Sequence, residues 1–185
     1  MPRTSQWQRN KETNAFLVAL DIASFSRYMR EPDQLLAHRE RFFRAVAHTA
    51  LFEQAKRAKT VVVHFLGDEL RLAFLDSIGA QALYDFLHEV MDILPRENLI
   101  VKDERQAHVK GAVLVGVMTW KEWRKCSFLD GLPPFKAQQW MGQLQPGEIV
   151  ADGAFKKAIE HFMPTARVPV RDFAGEAGYL LRGGV

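Results

Sequence analysis

The chain has 185 residues, 48% apolar and 25% charged, with a net charge of +3 and a pI near 9.1. That balance predicts one compact globular domain whose core needs no disulfide, and the single cysteine, Cys126, excludes an intrachain one and fits a reducing compartment. The mild positive charge suits an anionic ligand but lacks the clustered Lys/Arg of a nucleic-acid footprint, and no apolar run approaches the roughly 20 residues of a membrane span.

Residues 1–14 are polar, lack the apolar stretch of a secretory signal, and read as a flexible tail ahead of a single domain over 15–185. The expected setting is cytosolic, with neither membrane nor nucleic acid as partner. Residues 15–22 read as a buried strand that ends at Asp21 and runs into a small polar turn. Pro32-Asp33 opens one long helix to about Arg57, with Leu36, Phe43, Val46, Ala47, Ala50 and Leu51 at helical spacing. Residues 60–66 and 68–75 form a hairpin around Gly67-Asp68. A helix over 78–94 and a strand over 107–118 follow, the latter interrupted by Lys110-Gly111. Residues 119–134 give no clean pattern. A helix from Phe135 to Gln143, a short strand at 148–151, a helix over 153–162 and a hairpin of 168–173 with 178–181 complete the chain. The order β-α-β-β-α-β predicts an α+β fold of ferredoxin-like type, an antiparallel sheet with helices on one face.

Asp21 and Asp68 each sit at the edge of an apolar strand. Two carboxylates on neighbouring strands suit hard cations such as Mg²⁺ or Mn²⁺, which take oxygen ligands from protein and from substrate phosphates. The plainer alternative makes Asp21 a turn cap and Asp68 a hairpin-tip residue. Backbone N–H groups of Ala23, Ser24, Phe25 and Ser26 would face a triphosphate at the next helix start, or Ser24 or Ser26 simply caps that helix. His64, inside the run Val61–Leu66, reads as a core or edge histidine and Phe128 as a core aromatic. Glu69 is expected to be solvated and Arg71 to lie at the surface or in a dimer contact.

Five segments resemble, in order, the catalytic domain of the class III nucleotidyl cyclases. Asp21-Ile22-Ala23-Ser24-Phe25-Ser26 resembles the motif of the first metal aspartate, and Gly67-Asp68 that of the second. The run from His108 to Val117 resembles the central strand; 137–143 followed by Pro146-Gly147-Glu148-Ile149-Val150 the helix and Pro-Gly-Glu-Ile segment; Gly178-Tyr179-Leu180-Leu181 the last strand. The resemblance implies two divalent ions, Mn²⁺ or Mg²⁺, on Asp21, Asp68 and the Ile22 carbonyl. It also implies a homodimer with sites at its interface.

The departures lie at the base-reading positions. Purine-using members carry lysine where this chain has His64, and Asp or Thr where it has Phe128. Their ribose-directed Asn and phosphate-directed Arg fall on Phe135 and Gln139, which makes Lys136 the preferred cationic substitute among Lys121, Arg124, Lys125, Lys136, Arg171 and Arg182. Metal ligands kept and purine readers lost resemble the pyrimidine cyclases of Pycsar antiphage systems. The function this implies is conversion of UTP or CTP to cyclic UMP or cyclic CMP as a second messenger for antiviral defence, read by a separate effector protein. The alternatives are a purine cyclase, a cyclase-like nucleotide-binding module without turnover, and a diguanylate-cyclase-type enzyme, whose acidic hairpin Leu66-Gly67-Asp68-Glu69 only partly matches.

Overall fold

A computed structural model describes residues 6–23, 32–67, 69–98, 108–124, 126–163 and 168–182. In chain order the elements are β1 (Glu12–Ala23), α1 (Pro32–Ala47), α2 (Ala50–Ala58), β2 (Val61–Leu66), β3 (Glu69–Leu75), α3 (Ala80–Asn98), β4 (His108–Trp123) and β5 (Cys126–Gly131). They continue with α4 (Leu132–Met141), β6 (Ile149–Ala151), α5 (Gly153–Ile159), β7 (Val170–Phe173) and β8 (Glu176–Arg182). One eight-stranded sheet runs β2-β3-β1-β4-β6-β8-β7, with β5 folded back on the distal half of β4. The α+β fold and the βαββαβ order are as expected. The pairing is antiparallel except between β4 and β6, which are parallel.

β1 is central because Ala15 to Leu20 are apolar without a break and all buried, which suits a strand covered on both faces. Phe16, Val18, Leu20 and Ile22 turn to the side of α1, α2, α3 and α5, where Phe42, Phe52, Phe86 and Phe155 meet them. Ala15, Leu17 and Ala19 turn to the other side, where α4 contributes Ala137, Trp140 and Met141. Helices on one face therefore describes α1, α2, α3 and α5 but not α4. Each fully buried Leu or Phe in these layers contributes roughly 1.5–3 kcal/mol.

Several boundaries move. The stretch expected as a tail packs from Trp7, which is buried and donates from its indole nitrogen to the Ala73 carbonyl at 3.0 Å, and β1 starts at Glu12. The expected long helix breaks at His48-Thr49, because the buried Thr49 turns extended and its hydroxyl bonds back to the Val46 carbonyl at 2.8 Å. The patternless stretch forms the end of β4 and all of β5, and α4 begins at Leu132 with Pro133 and Pro134 in its first turn, where proline costs no helical hydrogen bond. Gly131 makes that entry possible: its φ is 135°, and a Cβ there would lie 2.7 Å from the Val117 carbonyl oxygen.

Candidate active site

Asp21 is not a turn cap but a residue within β1, two positions before the strand ends. Alternation places it on the α4 side of the sheet, in line with Ala19 and Leu17. Register sets Glu69 of β3 opposite it on one flank and Lys110 of β4 on the other. Lys110 Nζ lies 3.2 Å from Asp21 Oδ2 and donates to the Met141 carbonyl at the end of α4 at 2.9 Å. Both side chains are mostly buried, so this ion pair ties the carboxylate to β4 and α4 together. The next residue along β4, Gly111, permits that closeness, since a Cβ there would fall 2.9 Å from Leu20 Cδ2 and 3.2 Å from the Ala19 carbonyl. Lys110 was legible only as a break in an apolar run. A charge inside a central strand was the signal.

The Ile22 side chain is core, at 2% exposure, so only its backbone could serve a ligand. Ala23 is the last residue of β1, in register with His108. Ser24, Phe25, Ser26 and Asp68 lie outside the described residues. On either side of position 68, Gly67 adopts φ 64° at the turn, and Glu69 is the cross-strand partner of Asp21.

One row further into the sheet, His64 of β2 faces Arg71 of β3 on the same side as Asp21. Arg71, expected at the surface, is buried at 5% exposure, because β3 lies between β2 and β1 and this face is covered. Its Nε donates to Glu69 Oε1 at 2.5 Å, so Glu69 is a mostly buried ion-pair partner rather than a solvated residue. Burial, then the Arg71 charge, hold the His64 imidazole below its ordinary pKa, with Glu69 opposing. The ring is therefore neutral at pH 7.

The remaining candidates stand apart from Asp21 within one chain. Phe128 of β5 is half-buried and pairs with Lys121, eleven positions along β4 from Lys110 (121 − 110), a strand length of about 35 Å. Lys136 on α4 pairs with Glu176 at 2.5 Å and lines a cleft of about 230 Å³ with Asp152, Val115 and Pro133. Asp152 was not anticipated. It accepts from Val115 and Phe155 backbone N–H at 2.8 Å each, and burial lifts its carboxyl above the ordinary value against those bonds and Lys136. Phe135 and Gln139 point outward on α4, and Phe135 joins Val117 and Leu132 as exposed apolar side chains. Of the other cations, Arg171 is engaged by Glu148, Lys121 by Asp130 and Arg182 by Asp92.

Among the described residues no three His, Cys, Asp or Glu side chains cluster to hold a metal. The donors at Asp21 are carboxylate oxygens, which fit a hard divalent cation and not a thiophilic one. No helix among the described residues is long and apolar enough to cross a membrane.

No protein-family model and no curated protein matches the sequence. Solved structures do. The adenylyl cyclase CyaB from P. aeruginosa superposes with a TM-score of 0.71 at 13% identity, covering 92% of this chain and 95% of its own. The guanylate cyclase domain of RhGC from Catenaria anguillulae, in complex with GTP, gives 0.70 at 12% identity over 94% and 98%. The non-canonical dimeric guanylyl cyclase domain of the RhoGC fusion protein from Blastocladiella emersonii gives 0.68 at 13% identity over 93% and 97%. The chain has the fold of these cyclase domains along nearly its whole described length.

Proposed function

We propose that this chain is a nucleotidyl cyclase that converts a pyrimidine nucleoside triphosphate, UTP or CTP, to its 3′,5′-cyclic monophosphate and pyrophosphate. The observation that carries the reading is the placement of Asp21: a partly buried carboxylate at the end of the central strand, opposite the β2–β3 hairpin, on the face that also bears His64. The adenylyl and guanylyl cyclase neighbours support cyclisation as the chemistry, and the GTP complex supports a triphosphate as substrate.

In this reaction the ribose 3′-oxygen bonds to the α-phosphorus as the bond to the β-phosphate bridge breaks. Pyrophosphate leaves with the electron pair and the hydroxyl proton passes to water. Asp21, Asp68 and the Ile22 carbonyl would hold two divalent ions, Mg²⁺ or Mn²⁺. When bound, such ions lower the pKa of the attacking hydroxyl and neutralise the departing phosphates. Asp21 would present its carboxylate to those ions, and Lys110 ties it to β4 through their ion pair. Backbone N–H groups of Ala23 to Ser26 would receive the triphosphate.

The separation of two candidate site residues supports a homodimer. Asp21 and Phe128 lie about 35 Å apart along β4 in one chain, so a site using both is built from two chains, and a dimeric, though non-canonical, guanylyl cyclase neighbour supports association of such domains. The same neighbours fit a purine cyclase equally well; the pyrimidine preference rests on His64 and Phe128, and with it the assignment to antiphage signalling through a separate effector. A binding module without turnover is favoured by Phe135 and Gln139, which replace the family's polar pair. Incubating the protein with all four nucleoside triphosphates and Mn²⁺, with products identified by mass spectrometry, separates the three. Cyclic UMP or cyclic CMP supports the proposal, cyclic AMP or cyclic GMP the purine reading, and binding without product the module.

A further inference from the structure

His64 and Arg71 are directly opposed across β2 and β3, which sets their Cβ atoms about 4.5–5.5 Å apart. Each has one buried polar atom without a hydrogen-bond partner among the described residues: His64 Nδ1 and Arg71 Nη2. Buried polar atoms in this state are rare and costly. These two are complementary, since a guanidinium N–H can only donate and an unprotonated ring nitrogen accepts. Arg71 is also steered from its other end, where Nε is fixed to Glu69 at 2.5 Å. A hydrogen bond between them would satisfy both atoms at once.

We propose that Arg71 donates from Nη2 to His64 Nδ1 and so fixes the ring as the Nε2–H tautomer, making the base-reading residue a hydrogen-bond donor that selects uracil, through its O4 carbonyl, over cytosine. The base assignment rests on the cyclase reading, in which His64 meets the nucleotide; the Arg71–His64 tie does not. Glu69 orients the guanidinium, the guanidinium orients the imidazole, and the imidazole presents one N–H outward. Arg71 is thus a positioning residue that does not touch the base. Its permanent charge also keeps the ring from accepting a second proton, in keeping with the lowered pKa of His64. Cytosine places an amino group where uracil has O4. Two donors would then face each other in a partly buried pocket, and the mismatch is worth about 10- to 100-fold in kcat/KM.

The test pairs nitrogen NMR of the histidine-labelled full chain at neutral pH with competition between UTP and CTP. The His64 signal, one of six histidines, is assigned by its loss in His64→Gln. The expected wild type shows the Nε2–H tautomer and prefers UTP. Arg71→Met is expected to mix the tautomers and bring the UTP:CTP ratio toward unity, while Arg71→Lys, which keeps a donor, preserves both. Should Arg71→Met fail to fold, Arg71→Lys and His64→Gln carry the test, the latter flattening the ratio from a half-exposed position. An Nδ1–H tautomer in the wild type, or a wild-type tautomer in folded Arg71→Met, overturns the tie. An Nε2–H ring with CTP used as fast as UTP overturns the base assignment alone. Absence of cyclic product from every triphosphate overturns the cyclase reading and the base assignment with it, while the tautomer shift still decides the tie.

Discussion

Replacing Asp21 with asparagine keeps the side chain's shape and removes its charge, while Lys110→Met removes the partner and keeps much of its length. At 3.2 Å the gross attraction of the pair is about 5 kcal/mol with an effective dielectric near 20. Desolvation of two mostly buried groups offsets much of this. The net coupling is then about 1.5–3 kcal/mol, that of a charge-assisted hydrogen bond. Each single variant should melt about 3–12 °C below wild type for a chain of this size, and the double variant should lose less than the sum. Function splits the pair in the opposite sense. Asp21→Asn should reduce turnover about 1,000-fold, the several kcal/mol of charge stabilisation that divalent ions supply. Lys110→Met frees the carboxylate from a competing cation and should tighten Mn²⁺ binding to the nucleotide-free protein, read by calorimetry. The assays are thermal denaturation across the four-member cycle, Mn²⁺ titration, and cyclic nucleotide by mass spectrometry. Additive stabilities, with coupling under about 0.5 kcal/mol, would refute the ion pair. Near-native turnover in folded Asp21→Asn would refute the metal site.

Asp68→Asn should likewise abolish product with the circular dichroism spectrum unchanged; turnover at the wild-type rate removes Asp68 from the site. Glu148 is buried and accepts from Arg171 Nη1 at 2.9 Å and Nη2 at 2.6 Å, and these bonds, against burial, hold its carboxyl below its ordinary pKa. Its stabilisation is therefore full above the unfolded carboxylate pKa, about 4.3, and is lost as pH falls through the lower folded value. Glu148→Gln should cost about 1–3 kcal/mol at neutral pH and erase that acid-range slope, so a melting-temperature profile parallel to wild type excludes the clip. Mixing Asp21→Asn with a chain disabled at Phe128 should restore one site per mixed dimer, and Phe135→Asp should weaken both dimer and turnover. Light scattering that finds only monomer where turnover is linear in protein concentration rules out the shared site.

The local pattern alone determined a good deal of this protein. An unbroken apolar run ending in Asp21 read as a buried strand with a carboxylate near its end, and Gly67 between two apolar runs read as a turn, which its φ of 64° bears out. The order of the other strands and helices followed from the same periodicities, apart from β5 and the break between α1 and α2. What covers each face was not legible, because period-two alternation separates two sides of a strand without saying which one is buried. Arg71 was expected at the surface or in a dimer contact and is instead buried, because both faces of β3 are covered. The break at Thr49 depends on a buried hydroxyl turned back to Val46, and propensity does not encode that burial. Lys110 acquired a role only when register brought β4 beside β1 and α4 closed over its amine, two contacts from residues far apart in sequence. Strand edges and turns are local and are written in the chain. The partners of a buried charge are set by non-local register and packing, and only the folded sheet decides them.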